Sequence, residues 1–170
     1  GEDNDDTLIG GAGGDKLYGG THNDSLVGGA GGDVFFGDHG ADTISGGTGT
    51  DLIQYLASGA GVDVNLATGE GSAAQSNGDV ISGIENIFGS RASDKLVGDD
   101  GNNKFVGYGG WDTLDGAGGN DRLEGWLGHD SIMGGAGDDV ILGGQHNDTL
   151  NGGTGDDTIS SGTDNDVFVF

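Results

Sequence analysis

Fourteen aspartates recur at intervals of nine residues, or of twice nine, in two stretches of this chain. They are Asp6, Asp15, Asp24, Asp33, Asp42 and Asp51 in the first, then Asp94, Asp112, Asp121, Asp130, Asp139, Asp148, Asp157 and Asp166 in the second. At one place in this register, Asn103, an amide stands where a carboxylate is due. Carboxylates repeated in this way present hard oxygen donors. The chain has no cysteine, and His22, His39, His129 and His146 have no partners at a spacing suited to zinc. A donor set made only of oxygen suits a hard divalent ion. Calcium is favoured over magnesium because it accepts six to eight oxygens in irregular geometry. The alternative is that each aspartate merely caps a turn, as Asp does in many loops. Rows of carboxylates would then repel one another with nothing to offset the repulsion.

The elements that position these carboxylates are written in the same period. Each aspartate is the sixth residue of the unit Gly-Gly-x-Gly-x-Asp-x-(Leu/Ile/Phe)-x, seen in full at residues 10–18, 28–36, 134–142 and 152–160. Six copies run through residues 1–54 and nine through residues 89–169. A fixed period held over so many copies is the mark of a repeat architecture. Each unit reads as a turn followed by a short strand. Glycine at positions one, two and four permits the positive φ that a tight turn demands. The residues replacing it at position four, Asn4, His22, His146 and Asp164, are types that tolerate left-handed geometry, Ala92 being the exception. Position eight is apolar in every copy, from Leu8 to Phe168. Strand alternation sends it inward and turns positions seven and nine to solvent.

These repeats resemble the RTX family, the glycine- and aspartate-rich nonapeptide repeats of secreted bacterial proteins. The resemblance implies an all-β fold, a parallel β-roll (a β-solenoid) with calcium ions in its turns. It implies coils of two nonapeptides, repeat n stacked on repeat n+2 at the ordinary strand spacing of about 4.8 Å. The repeat aspartates and turn carbonyls are then the metal ligands, so all fourteen aspartates are candidate calcium ligands. Six repeats leave four such gaps and nine leave seven, about eleven calcium sites in all. That many divalent ions bring roughly 22 positive charges to a chain whose formal net charge is −24. The gap containing Asn103 is expected to be the weakest, with Gly98-Asp99-Asp100-Gly101 close by to compensate in part.

Residues 55–88 break the period but keep strand signals in Val62-Asp63-Val64-Asn65-Leu66, in Val80-Ile81 and in Ile84-Glu85-Asn86-Ile87-Phe88. The expected organisation is a first repeat block at residues 1–54 and a second at residues 89–170. They are joined by a β-strand-containing insert at residues 55–88 that continues the roll or caps one block against the next. Its loop at residues 69–78 is expected to be the most mobile segment. The insert resembles the spacers between repeat blocks in large RTX proteins such as the adenylate cyclase toxin.

Composition narrows the function. The chain has 42 glycines, each expensive to order, and 29 acidic residues against five basic ones. A disordered acidic chain is the alternative reading and the expected metal-free state. Such a charge repels nucleic acid, and no apolar run is long enough for a transmembrane segment. There is no His-Glu-x-x-His, no Gly-x-Ser-x-Gly and no cysteine nucleophile, so no enzyme activity is expected. Both ends fall inside repeats, and the expectation is a segment of a larger secreted protein. By the resemblance, that protein is a toxin, enzyme or adhesin that leaves through a type I secretion channel for the calcium-rich exterior.

A second reading rests on aromatic residues. Tyr108 and Trp126 hold position two of stacked repeats, Trp111 and His129 hold position five of the same two, and Lys104 and Arg122 are stacked at position seven. Together they suit an acidic polysaccharide, such as RTX-type modules of alginate epimerases bind; alternatively they only shield a turn edge. The remaining histidines read as turn residues. A purely structural spacer is a third reading, and it requires β structure without calcium.

Overall fold

A nonapeptide is too short to bury its own apolar residue, so unit must stack on unit before any core exists. The computed structural model describes residues 3–36, 39–73 and 78–170, and among these it contains nineteen strands and no helix. The first block forms β1 (Thr7–Ala12), β2 (Lys16–Tyr18), β3 (Ser25–Ala30), β4 (Val34–Phe36), β5 (Thr43–Thr48) and β6 (Leu52–Gln54). The insert forms β7 (Val62–Asn65), β8 (Glu70–Ala73), β9 (Asp79–Ser82) and β10 (Asn86–Phe88). The second block opens with β11 (Lys95–Val97), β12 (Lys104–Gly109), β13 (Thr113–Asp115), β14 (Arg122–Leu127) and β15 (Ser131–Ala136). It closes with β16 (Val140–Gln145), β17 (Thr149–Thr154), β18 (Thr158–Gly162) and β19 (Val167–Val169).

Strands from alternate repeats pair in parallel. Thr7 lies opposite Ser25, Lys16 opposite Val34 and Arg122 opposite Val140, so one coil is eighteen residues. The result is an eleven-stranded sheet in the order β1-β3-β5-β9-β8-β7-β11-β13-β15-β17-β19 and an eight-stranded sheet in the order β18-β16-β14-β12-β10-β6-β4-β2. This is the parallel β-roll expected from the repeats. Position-eight residues fill the space between the sheets: Leu26, Phe35, Ile53, Leu96, Phe105, Leu123 and Ile141 are all buried. The core is two facing files of side chains, one from each sheet. At its ends Leu8 and Ile159 are only half-buried and Phe168 is 43% exposed.

The insert lies within both sheets. β10 pairs with β6 and β12 in parallel, which carries the eight-stranded sheet through without a break. In the eleven-stranded sheet, β9 pairs in parallel with β5 and β7 with β11, while β8 runs antiparallel between β7 and β9. Ile81 and Ile87 take the places of position-eight residues, and Tyr55, Val62, Val64 and Ile84 thicken the core there. Of the loop expected to move most, residues 74–77 lie outside the described residues.

One expectation about the turns is corrected. Positive φ belongs to positions two and four, as at Gly135 (111°) and Gly137 (135°), and His22 and His146 adopt it as well. Among the described residues position one does not have it. Gly10 and Gly143 are glycine because of space: a Cβ on Gly10 would sit 2.6 Å from Asp15 Oδ2 and 2.7 Å from the Gly28 carbonyl oxygen. No described helix is long and apolar enough to cross a membrane.

A core only two files wide makes interior positions unequal to terminal ones. Leu123→Ala, at a fully buried site, is expected to lower stability by about 2–5 kcal/mol. Phe168→Ala, at an exposed end, should lower it much less. Denaturant unfolding of both variants in excess calcium measures the difference.

Candidate metal centre

The repeat delivers each aspartate to one of two rows along the turn edges. Asp6, Asp24 and Asp42, then Asp94, Asp112, Asp130, Asp148 and Asp166, line the edge that leads into the eleven-stranded sheet. Asp15, Asp33 and Asp51, then Asp121, Asp139 and Asp157, line the other. Within a row, the backbone N–H of each aspartate donates to Oδ1 of the aspartate one coil further on, at 2.7–3.0 Å. Its carbonyl accepts from the position-seven N–H of that same coil, as Ser25 N–H does to Asp6. Three groups of one residue therefore fix its place.

One carboxylate oxygen is satisfied in this way and the other is not. Oδ2 of Asp15, Asp24, Asp33, Asp51, Asp112, Asp121, Asp130, Asp139 and Asp148 is buried with no hydrogen-bond partner. An ionised oxygen buried without donor or counter-charge is strongly unfavourable. Each such Oδ2 faces a position-one glycine, and at all but Asp24 and Asp112 the room left by the missing Cβ also borders a carbonyl of a neighbouring coil. At Gly143 an added Cβ would meet Asp148 Oδ2 and the Ser161 carbonyl oxygen, each at 2.5 Å. The donors at this cradle are a carboxylate and a backbone carbonyl, a set that fits calcium and not a soft metal. Among the described residues no three His, Cys, Asp or Glu side chains converge on one point. A cation here has to draw on turn carbonyls as much as on side chains.

The rows do not stop at the insert. Asp42 N–H donates to Asp79 Oδ1 and Asp51 N–H to Glu85 Oε2, each at 2.8 Å. Asp79 and Glu85 thus occupy the repeat-aspartate place without belonging to the nine-residue register. A local signal exists: Asp79-Val80-Ile81-Ser82 repeats the pattern of Asp42-Thr43-Ile44-Ser45, and Glu85-Asn86-Ile87-Phe88 echoes it. Two other places behave differently from their neighbours. Asn103 Oδ1 accepts from Asp99 N–H at 3.0 Å, and its Nδ2 donates to the Glu85 carbonyl at 3.1 Å. Asp94 has both oxygens taken, Oδ2 by Ser90 N–H and Oδ1 by Ser90 Oγ, each at 2.7 Å, with Val62 N–H also donating to Oδ1. These two positions are satisfied by the protein alone.

A family model for the RTX calcium-binding nonapeptide repeat matches residues 1–35, 18–53, 79–110, 88–123, 106–141, 127–159 and 142–169. The chain belongs to the RTX family. Its repeats are calcium-binding repeats carried on a β-roll, and the match that begins at residue 79 takes in Asp79 and Glu85. No curated protein matches the chain.

Electrostatics of the RTX rows set a pH dependence. Burial, reinforced by the like charge one coil away, raises the Asp79 and Asp112 carboxyls to about 7 and those of Asp121 and Asp130 to about 6; the N–H donors offset part of the rise. Folded-state values above the ordinary 3.8 mean that the metal-free fold binds more protons than the unfolded chain. That contribution to stability is complete below about pH 4 and is lost as pH rises through 6–7. In chelator, β structure should be greater near pH 4.5 than near pH 8, whereas the calcium needed for half-folding should rise as pH falls below about 6. Circular dichroism across pH, with and without calcium, reads both trends. Separately, Asn103→Asp adds an unpartnered carboxylate to the row and should lower the calcium needed to fold the second block.

Proposed function

We propose that this RTX module is a folding switch for a larger secreted protein, held unfolded where calcium is scarce and folded where it is abundant. The observation that carries the reading is the set of nine buried Oδ2 atoms without partners. Bound calcium supplies the positive charge that these oxygens lack. Everything else is done by the chain. The aspartate Oδ1 atoms and N–H groups register one coil on the next, and the position-one glycines keep the cradle open. Turn carbonyls border it, and the thin core adds cohesion only after coils have stacked.

Without a cation, a net charge of −24 and 42 glycines favour the extended chain. An extended chain suits passage through the narrow bore of a type I secretion channel. Outside the cell, millimolar calcium lies in the affinity range of extracellular calcium modules. A ligand that binds only the folded state then stabilises it by mass action. The folded roll in turn gives the adjoining parts of the secreted protein a rigid neighbour. The carboxylates serve in contact rows and do not face one another across a cleft, which favours a structural and regulatory role over catalysis.

The deciding measurement is far-UV circular dichroism at pH 8 during a calcium titration of chelator-treated protein, with magnesium as control. A cooperative passage from coil to β structure at submillimolar to millimolar calcium, absent with magnesium, is expected. A β spectrum already present in chelator would overturn the switch in favour of a rigid spacer.

A further inference from the structure

The four histidines of the chain share one edge of the roll. His22, His39, His129 and His146 lie in the turns that lead to Asp24, Asp42, Asp130 and Asp148, four aspartates of a single row. The turns of the other row carry none. Along the chain no histidine has a partner at a spacing suited to zinc, but coiling supplies one. The eighteen-residue step sets the turn of His129 beside that of His146 and Asn147. The His129 and His146 rings, both exposed, come to lie 5.7 Å apart between centroids, tilted by 55°. Two imidazoles on one tetrahedral ion, each nitrogen about 2.0–2.1 Å from it, hold their centroids roughly 5 Å apart. Exposed side chains turn readily about their own bonds, and a small turn closes that difference.

The next coil fixes the His129 ring. Its Nδ1 lies 3.1 Å from both the backbone nitrogen and the carbonyl oxygen of Asn147. Nδ1 accepts from the N–H when the ring proton is on Nε2, and donates to the carbonyl when the proton is on Nδ1. The proton therefore moves to Nδ1 without costing the ring its partner, and Nε2 is left with a lone pair for a metal. A histidine oriented through its other nitrogen is the arrangement on which metal sites rely. Trp111, one coil before, meets the His129 ring edge-on at 5.4 Å. With Gly110, Leu127 and Gly128 it walls a hollow of about 230 Å³ that both imidazoles also line.

The turn itself requires neither imidazole. Gly110 and Gly128 hold position four in the two coils before His146, which has φ of 78°. Asn147 and Asn165 hold position five in the two coils after His129, and Asn147 Oδ1 accepts the Asn165 N–H at 3.0 Å as His129 Nδ1 accepts that of Asn147. Glycine and asparagine serve the fold at these places. Imidazole brings a nitrogen donor that the oxygen-only calcium rows lack.

We infer that His129 and His146 clamp a divalent transition-metal ion between two coils, copper(II) most tightly. Among the described residues no third His, Cys, Asp or Glu joins them, so water completes the coordination. Nitrogen ligands set the site apart from calcium, which takes oxygen. An ion shared by two coils binds only after they have stacked, and so adds to the stability of the stack. The inference needs only the folded roll, however that roll is reached.

The test uses Trp111 as reporter, because copper(II) quenches a nearby indole and both tryptophans, Trp111 and Trp126, lie in the second block. Copper(II) is titrated into the calcium-loaded chain, in excess calcium, while tryptophan fluorescence is followed. Saturable quenching is expected. His129→Asn and His146→Gly, replacements that adjoining coils already use, should each weaken apparent copper binding at least about tenfold. Calcium-induced circular dichroism, read in the same samples, should stay as in the unmodified chain and separates a lost fold from a lost site. Quenching that does not saturate, or that is equal in the folded histidine variants, would overturn the inference. So would quenching that further calcium abolishes, which would place the copper in the carboxylate rows.

Discussion

A buried carboxylate oxygen with no donor is the constraint on which this roll depends. The backbone N–H of one coil can satisfy only Oδ1 of the next, because each turn offers one N–H at that point. Oδ2 is left facing a position-one glycine, in most cases beside a carbonyl of a neighbouring coil, and nine such atoms are buried without a partner. Their charge has to be met by a proton or a metal ion. The carboxyls pushed up to about 6 and 7 are the proton's half of that choice; the oxygen-only donor set is the calcium half. The thin core contributes only after the coils stack, so folding and charge neutralisation are bound together.

The places that break the rule show how the rows are graded. Asn103 and Asp94 are satisfied within the protein, by Asp99 and the Glu85 carbonyl in one case and by Ser90 and Val62 in the other. Both lie near the insert, where the eighteen-residue step is interrupted. There the chain closes its own hydrogen bonds and asks less of a cation. Asp79 and Glu85 do the opposite and carry the carboxylate rows into the insert. The insert is therefore part of the roll in both its sheets and its charge.

Division of labour follows from the geometry of a two-sheet roll. Turn edges hold the carboxylates, the interior holds one file of apolar residues from each sheet, and each sheet keeps an outer face under no demand from either. One outer face mixes Thr and Ser with exposed Ile9, Val80, Met133 and Val167. The other carries aromatic rings and most of the cations, two of the rings in a backbone conformation that glycine adopts more cheaply. A repeat that specifies its turns and core so tightly leaves these outward positions free to vary.

The repeat aspartates, the apolar eighth position and the glycine turns were all legible in the chain, because a fixed period makes one local rule apply many times over. The parallel roll, the eighteen-residue coil and the two rows of carboxylates follow from that rule together with the family resemblance. What lay beyond it depended on distance in space. Asp79 and Glu85 reach the rows only because an antiparallel strand, β8, absorbs the mismatch in spacing. Asp94 reads as one more repeat aspartate until Ser90 is seen to satisfy both its oxygens. Position-one glycine reads as a turn residue, yet its reason is an oxygen of its own aspartate and another of the next coil. The sorting of rings and cations onto one sheet emerges only when residues many positions apart are stacked side by side. Period and composition decide what each unit does; neighbours from other coils decide which atoms are left without a partner, and only the tertiary structure brings those neighbours together.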